Sequence, residues 1–265
     1  MSTPHTRSTS PTRVRILGCS GGIGRHLRTT SMLVDDDILI DAGTGVGDLT
    51  IAELKAIDHV FLTHSHLDHI ACLPMLVDTV GDMRGVPLTV HATPATLEIL
   101  RDHVFNWKVW PDFTTIPNRT RPFMHFRAIE LGETLVFGGR RITVLPAEHT
   151  VPAVGYQLDS GRASLVFTGD TTVNDALWPV VNAIDNLRVL IIETAFPDKE
   201  HQLARASKHL CPSMLVGELS KLTQNPEIFI THLKPSQVEL TMREIDSAVT
   251  RFRPRMLEHN QIIEL

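Results

Sequence analysis

What this sequence is short of narrows it first. Its 265 residues include three cysteines, Cys19, Cys72 and Cys211, and no CxxC pair. That excludes a disulfide framework and a thiolate zinc site. No apolar run approaches the roughly 18–20 residues that a membrane span requires, and the polar start MSTPHTRSTSPTR lacks the apolar centre of a secretory signal. The expectation is a cytoplasmic protein, with no membrane contact, made of a disordered tail over 1–12 and one domain over 13–265. No repeat of short fixed period interrupts that span, and no linker in it is long enough to separate domains. Acidic residues are missing from positions 1–34, which carry Arg7, Arg13, Arg15, Arg25 and Arg28. This stretch is either a basic tail or a positive loop beside an anionic ligand. The chain as a whole has a formal charge of −5, which disfavours nucleic acid as a partner.

What is present reads as an ordinary globular α/β chain. Hydrophobic residues make up 42% and charged residues 21%, enough apolar material at this length for one large buried core. RVRILG predicts a first strand, SMLVDD and DILIDAG a hairpin, DLTIAELKAI a helix and HVFLT a buried strand. HIACLPMLVDTVGDM predicts one helix, PLTVHA a strand and TPATLEILRDHVFN a helix behind a Thr cap. After the irregular NWKVWPDFTTIPNRTRP come strands in HFRAIEL, TLVFG, RITVLPA, AVGYQLDS and SLVFTGD. DALWPVVNAI predicts a helix, VLIIETAF a strand, HQLARASKHL and SMLVGELSKL helices, IFITHL a strand, VELTMREIDSAV a helix and MLEHNQIIEL a closing strand. Two such halves predict an αββα sandwich, with two packed mixed sheets and the helices outside. The loop GCSGGIG has neither the dinucleotide spacing nor a following GK[ST], and a strand follows it, so it reads as a structural turn.

The chemistry is concentrated in FLTHSHLDHIACL. Four strong metal ligands, His64, His66, Asp68 and His69, fall within six positions between an apolar strand and an apolar helix. Isolated histidines are more often surface or packed residues, the reading given to His5, His26, His59, His91, His103, His125, His201 and His259. The cluster differs, because such crowding suits two cations sharing one site. Two ions need further ligands from other strand ends. His149 follows RITVLPAE, Asp170 ends SLVFTGD and His232 follows IFIT, each directly after a β-rich apolar run.

THSHLDH resembles the HxHxDH signature of the metallo-β-lactamase superfamily, with His149, Asp170 and His232 where that family's remaining ligands belong. The resemblance implies that His64, His66 and His149 hold one metal, that Asp68, His69 and His232 hold the other, and that Asp170 bridges them. The implied cofactors are two divalent ions, zinc first with manganese or iron also suited to N/O ligands, bridged by water or hydroxide. Two such cations against two carboxylates and a hydroxide leave a centre of about +1, which suits a phosphodiester. LGCSGG, RTTSMLVDDDILIDAGTGVGDL, THSHLDHIACLPMLVDT, FTGDT, IIETAFP, SKHLCPSMLVGELSKL and ITHLKPS together resemble the class II 3′,5′-cyclic-nucleotide phosphodiesterases over about residues 14–245. Cys72 stands where that family's short signature has Gly or Ser, and Pro74 replaces an aliphatic residue.

This resemblance implies hydrolysis of cAMP, or cGMP, to the 5′-monophosphate, with Asp68 orienting or deprotonating the nucleophile. A related family, the tRNA 3′-processing endonucleases, has an ETF…H element that Glu193 and His209 match. It implies that His209 assists the phosphate or leaving group, with Glu193 behind it. Two other readings stand beside this one: an RNA-processing phosphodiesterase and a non-hydrolytic di-iron redox protein. Trp107, Trp110 or Phe113 in FNWKVWPDF could stack on a purine or cover the metals, or could fill a local core or a homodimer contact.

Overall fold

The computed structural model describes residues 11–265, so most of the expected tail over 1–12 lies outside the described residues. Thr12 and Leu265 exchange backbone hydrogen bonds of 3.2 and 2.8 Å. The first half of the chain supplies β1 (Arg13–Gly18), β2 (Ser31–Val34), β3 (Ile38–Ile40), β4 (His59–Phe61), β5 (Leu88–Ala92) and β6 (Met124–Ala128). The second half supplies β7 (Thr134–Phe137), β8 (Arg140–Pro146), β9 (Val154–Asp159), β10 (Ser164–Phe167), β11 (Leu187–Glu193), β12 (Glu227–Thr231), β13 (Arg255–Met256) and β14 (Ile262–Glu264). The helices are α1 (Ile51–Ala56), α2 (Leu67–Ile70), α3 (Leu73–Val80), α4 (Pro94–His103), α5 (Leu177–Asn182), α6 (His201–Ala206), α7 (Pro212–Leu219) and α8 (Val238–Ala248).

The strands form two seven-stranded sheets, ordered β14-β1-β2-β3-β4-β5-β6 and β13-β12-β11-β10-β9-β8-β7. Each sheet is mixed. It is antiparallel from β14 to β3 and from β7 to β10, then parallel through the remaining strands. Period-2 alternation decides which face each strand buries. Ile38, Ile40 and Phe61 turn inward and meet Val144, Tyr156, Phe167 and Ile191 of the facing sheet. Their alternates Leu39 and Val60 turn outward under Leu54 of α1, Leu73 and Leu76 of α3 and Leu97 of α4. On the other side Val166, Leu190, Ile192 and Ile230 pack under Trp178 of α5, Leu215 of α7 and Ile245 of α8. Each such side chain contributes roughly 1.5–3 kcal/mol on leaving water, so a one-residue slip of any strand would be costly. The result is the expected αββα sandwich.

Three details differ from expectation. The helix expected across HIACLPMLVDTVGDM is two, α2 and α3, because Pro74 in the first turn of α3 has no N–H to offer the Ile70 carbonyl. HQLARASKHL is helical only to Ala206, which leaves His209 in the connection before α7. The single closing strand is two short ones, β13 on the edge of one sheet and β14 on the edge of the other.

The aromatic loop belongs mainly to the core. Phe105 and Phe113 are buried on the outer face of the first sheet, with Trp110 packed against them, and of the loop's aromatic rings only Trp107 projects. Among the described residues no helix is long and apolar enough to cross a membrane.

Candidate metal centre

The functional candidates gather where parallel strands end, the edge at which α/β sheets generally present their ligand sites. Asp41 follows β3 directly and His64 lies three residues beyond β4, while His149, Asp170, Glu193 and His232 lie at or just beyond the C-terminal ends of β8, β10, β11 and β12. The two sheets touch here: the Val154 N–H donates to the Thr63 carbonyl at 3.0 Å. Gly169 makes that approach possible. Its φ is +63°, and a Cβ there would lie 2.8 Å from the Val154 oxygen.

Hydrogen bonds fix which nitrogen each imidazole points inward. Asp41, fully buried, accepts from the Thr63 N–H and hydroxyl at 2.8 Å each and from His69 Nδ1 at 2.7 Å. With its proton given to Asp41, the Thr63 oxygen accepts from His64 Nδ1 at 2.9 Å. His149 Nδ1 donates to the Lys208 carbonyl at 3.0 Å. His64, His69 and His149 thus turn their Nε2 lone pairs toward one another, the orientation a metal ligand requires.

His66 Nδ1 lies 3.1 Å from both His64 Nε2 and His149 Nε2. One N–H on His66 cannot fill two lone pairs at once. A cation at the centre would, since tetrahedral nitrogens at ordinary zinc distances stand about 3.3 Å apart. A second group, Asp68, His69 and His232, likewise has its donor atoms within 4.8 Å of one another. His232 Nε2 is 3.6 Å from Asp68 Oδ2.

Asp170 stands between the groups. Its Oδ2 is 3.3 Å from His69 Nε2 and 3.8 Å from His64 Nε2, and its Oδ1 is 3.3 Å from His232 Nδ1. His69 Nε2 and His232 Nδ1 are buried without a hydrogen-bond partner. Such orphaned nitrogens are costly unless an ion fills them. Burial also pushes His149 down to about 4 and His232 to about 3, so both rings are neutral, as metal ligands must be.

His209 sits beside this set, its ring centroid 4.9 Å from that of His149 and 5.1 Å from that of His232. Its Nδ1 donates to Glu193 Oε1 at 2.7 Å, and Glu193 is further held by the Thr171 N–H at 3.1 Å and the Leu210 N–H at 3.3 Å. Burial works against a charge on His209, but the Glu193 carboxylate outweighs it and holds the imidazole above its ordinary pKa.

All nine residues singled out from the sequence, His64, His66, Asp68, His69, His149, Asp170, Glu193, His209 and His232, are therefore in one constellation. Asp41 and Thr63 were not anticipated. Asp41 ends the apolar strand of DILIDAG as Asp170 ends SLVFTGD, and that same signal would have found it. Of the arginines in the basic stretch, Arg7 lies outside the described residues. Arg28 is paired with Asp48 at 2.8 Å and Arg15 with Glu53 at 2.6 Å, so their charges are met within the fold.

Comparison with known proteins shows the family. The model of the Beta-lactamase superfamily domain matches residues 36–249. A probable 3′,5′-cyclic-nucleotide phosphodiesterase of Yersinia pestis is 25% identical over 280 residues, covering 86% of this chain and 80% of that protein. A ribonuclease Z of Halorubrum lacusprofundi is 37% identical over 99 residues, and the match covers 35% of this chain and only 32% of that protein. Among solved structures, unliganded yeast PDE1 has a TM-score of 0.77 at 19% identity, covering 97% of this chain and 100% of that one. At that identity the likeness carries the fold alone.

Proposed function

Because the chain belongs to the metallo-β-lactamase superfamily, we propose that it is a metal-dependent phosphodiesterase that opens 3′,5′-cyclic nucleotides, cAMP or cGMP, to 5′-monophosphates. The observation that carries the metal centre is His66 Nδ1 placed 3.1 Å from two inward nitrogens that have no proton to offer. The substrate class is supported by the match to the Yersinia pestis protein across most of both chains.

In this reading His64, His66 and His149 would hold one divalent cation and Asp68, His69 and His232 the other, with Asp170 placed between the two groups. Zinc suits the donor set, and manganese or iron would also fit. When bound, the pair supplies neutralisation of phosphate charge and activation of water. The chain's own groups do the rest. Asp68, half-buried at the mouth of the site, accepts a proton from the attacking water. As the water oxygen joins phosphorus, the bond from phosphorus to the 3′-oxygen breaks. His209 gives that oxygen its proton from Nε2, since Nδ1 is committed to Glu193. Asp41 and Lys208 act through their bonds to His69 and His149, fixing ring tautomer and direction.

The match to a ribonuclease Z supports a second reading, cleavage of an RNA phosphodiester by the same groups. One experiment separates them: release of 5′-AMP from 3′,5′-cAMP by zinc- or manganese-loaded protein, beside a 3′-extended tRNA precursor. Release of 5′-AMP that a chelator abolishes is expected. Cleavage of the precursor with cAMP untouched would replace the substrate and keep the centre.

A further inference from the structure

His232 is held in an unusual backbone conformation, with φ at +63° in the left-handed region that non-glycine residues rarely adopt. Something must hold it there, and the glycine-rich loop does so. The His232 N–H donates to the Cys19 carbonyl at 2.8 Å, and the Thr231 hydroxyl donates to the same oxygen at 3.1 Å. The Gly21 N–H donates in return to the Leu233 carbonyl at 3.0 Å. The two segments lie so close that a Cβ on Gly21 would stand 2.4 Å from the His232 carbonyl oxygen.

Lys234 closes this zipper. Its backbone N–H is fixed to the Ala195 carbonyl at 3.1 Å, and its ammonium donates to the Gly21 carbonyl at 2.8 Å. The same ammonium lies 5.9 Å from the centre of the Phe196 ring. Among the described residues it pairs with no carboxylate, so a half-buried lysine directs its charge at a main-chain oxygen of the loop that braces His232.

We propose that Lys234 is a positioning residue for the His232 side of the metal centre. Its ammonium locks the loop 19–22 onto residues 231–234 and so keeps His232 in the left-handed turn that aims its ring at Asp68 and Asp170. The inference rests on His232 being a metal ligand, but not on which substrate is cleaved. It also gives the glycine-rich loop a role other than cradling phosphate, which is to admit the His232 backbone at a distance that only glycine tolerates.

The test reads zinc rather than turnover. The full chain is titrated with zinc against a chromophoric chelator, which yields the affinities of two ions. In Lys234→Met one affinity falls roughly 10- to 100-fold while the other holds, the scale expected when a group orienting a metal ligand is lost. Lys234→Arg, which keeps a donor, restores it. In an Asp68→Ala background, where the same side of the centre is already broken, Lys234→Met adds nothing further.

An unchanged affinity, an equal loss of both ions, or a full effect in the Asp68→Ala background overturns the assignment. Should Lys234→Met fail to fold, Gly21→Ala carries the test, since it displaces the same segment with Lys234 in place. Undiminished zinc affinity in that variant overturns the proposal. A wild-type chain binding fewer than two ions overturns it together with the two-ion reading. That result is distinct from a variant matching a two-ion wild type.

Discussion

His209, in the connection before α7, and Glu193, at the end of β11, face each other across 2.7 Å, with the carboxylate wholly buried and also held by two main-chain N–H groups. A carboxylate so fixed sets which imidazole nitrogen carries the outward proton. Replacing His209 with Ala should lower kcat for cyclic-nucleotide opening by about 10²–10⁴ while metal content stays at the wild-type level. Glu193→Gln should lower kcat less, because the ring keeps a partner and loses only the charge behind it. Steady-state kinetics with metal analysis of the same samples checks both. A His209→Ala enzyme of wild-type kcat would remove the assigned acid.

Asp170 sets its carboxylate oxygens within 4 Å of the inward nitrogens of His64, His69 and His232, which come from both groups. Asp170→Ala should therefore reduce the occupancy of both ions and abolish turnover, measured by elemental analysis after dialysis. Full activity with a single remaining metal would contradict a shared centre.

Asp41 touches no substrate in the proposed reaction, yet it receives His69 Nδ1 at 2.7 Å. Asp41→Asn keeps the shape and removes the charge, and should weaken metal affinity roughly 10- to 100-fold. Chelator competition measures it. The second effect expected is on Thr63, whose N–H and hydroxyl both end on the same carboxylate.

One acid far from the centre sets a pH dependence of stability. Glu53 accepts from the Thr50 N–H and hydroxyl in the capping box of α1 and pairs with Arg15, which lowers it to about 2. A depressed carboxylate stabilises the fold above its unfolded value of 4.5 and loses that contribution as pH falls toward about 2. Because the side chain is one-third exposed, the effect is nearer that of a lost cap, about 1 kcal/mol, than of the full shift. Urea unfolding of chelator-treated protein should show Glu53→Ala less stable than wild type above pH 5, with the gap closing below pH 3.

The sequence made the centre legible through the crowding of four ligands in HSHLDH and because His149, Asp170 and His232 each follow a run of buried strand residues, where a charged or imidazole side chain has no packing reason to be. The same rule applied to ILI in DILIDAG would have added Asp41. The orienting role of Lys208 was not legible. It acts through its carbonyl, which every residue has, and comes from a connection 59 positions beyond His149. The break between α2 and α3 was written in Pro74 but hidden by apolar periodicity on both sides. β13 and β14 were merged because strands of two and three residues carry too few alternations to separate. The aromatic loop left two readings open for a different reason: sequence does not tell a ring that covers a ligand from one that closes a core. Phe105 and Phe113 do the latter.

The pairing of β14 with β1 sets Ile263 opposite Val14, and the Ile16 N–H reaches the Gln261 carbonyl at 2.9 Å. During synthesis on the ribosome, β1 emerges well before β14, its partner. Until residues 261–264 emerge, β1 has an unpaired flank, and its inward side chains Val14 and Ile16 lack the cover that Ile263 and Leu265 later provide. A nascent chain therefore carries an incomplete sheet while the residues between β1 and β14 are made, and an unpaired strand edge of that kind is prone to association.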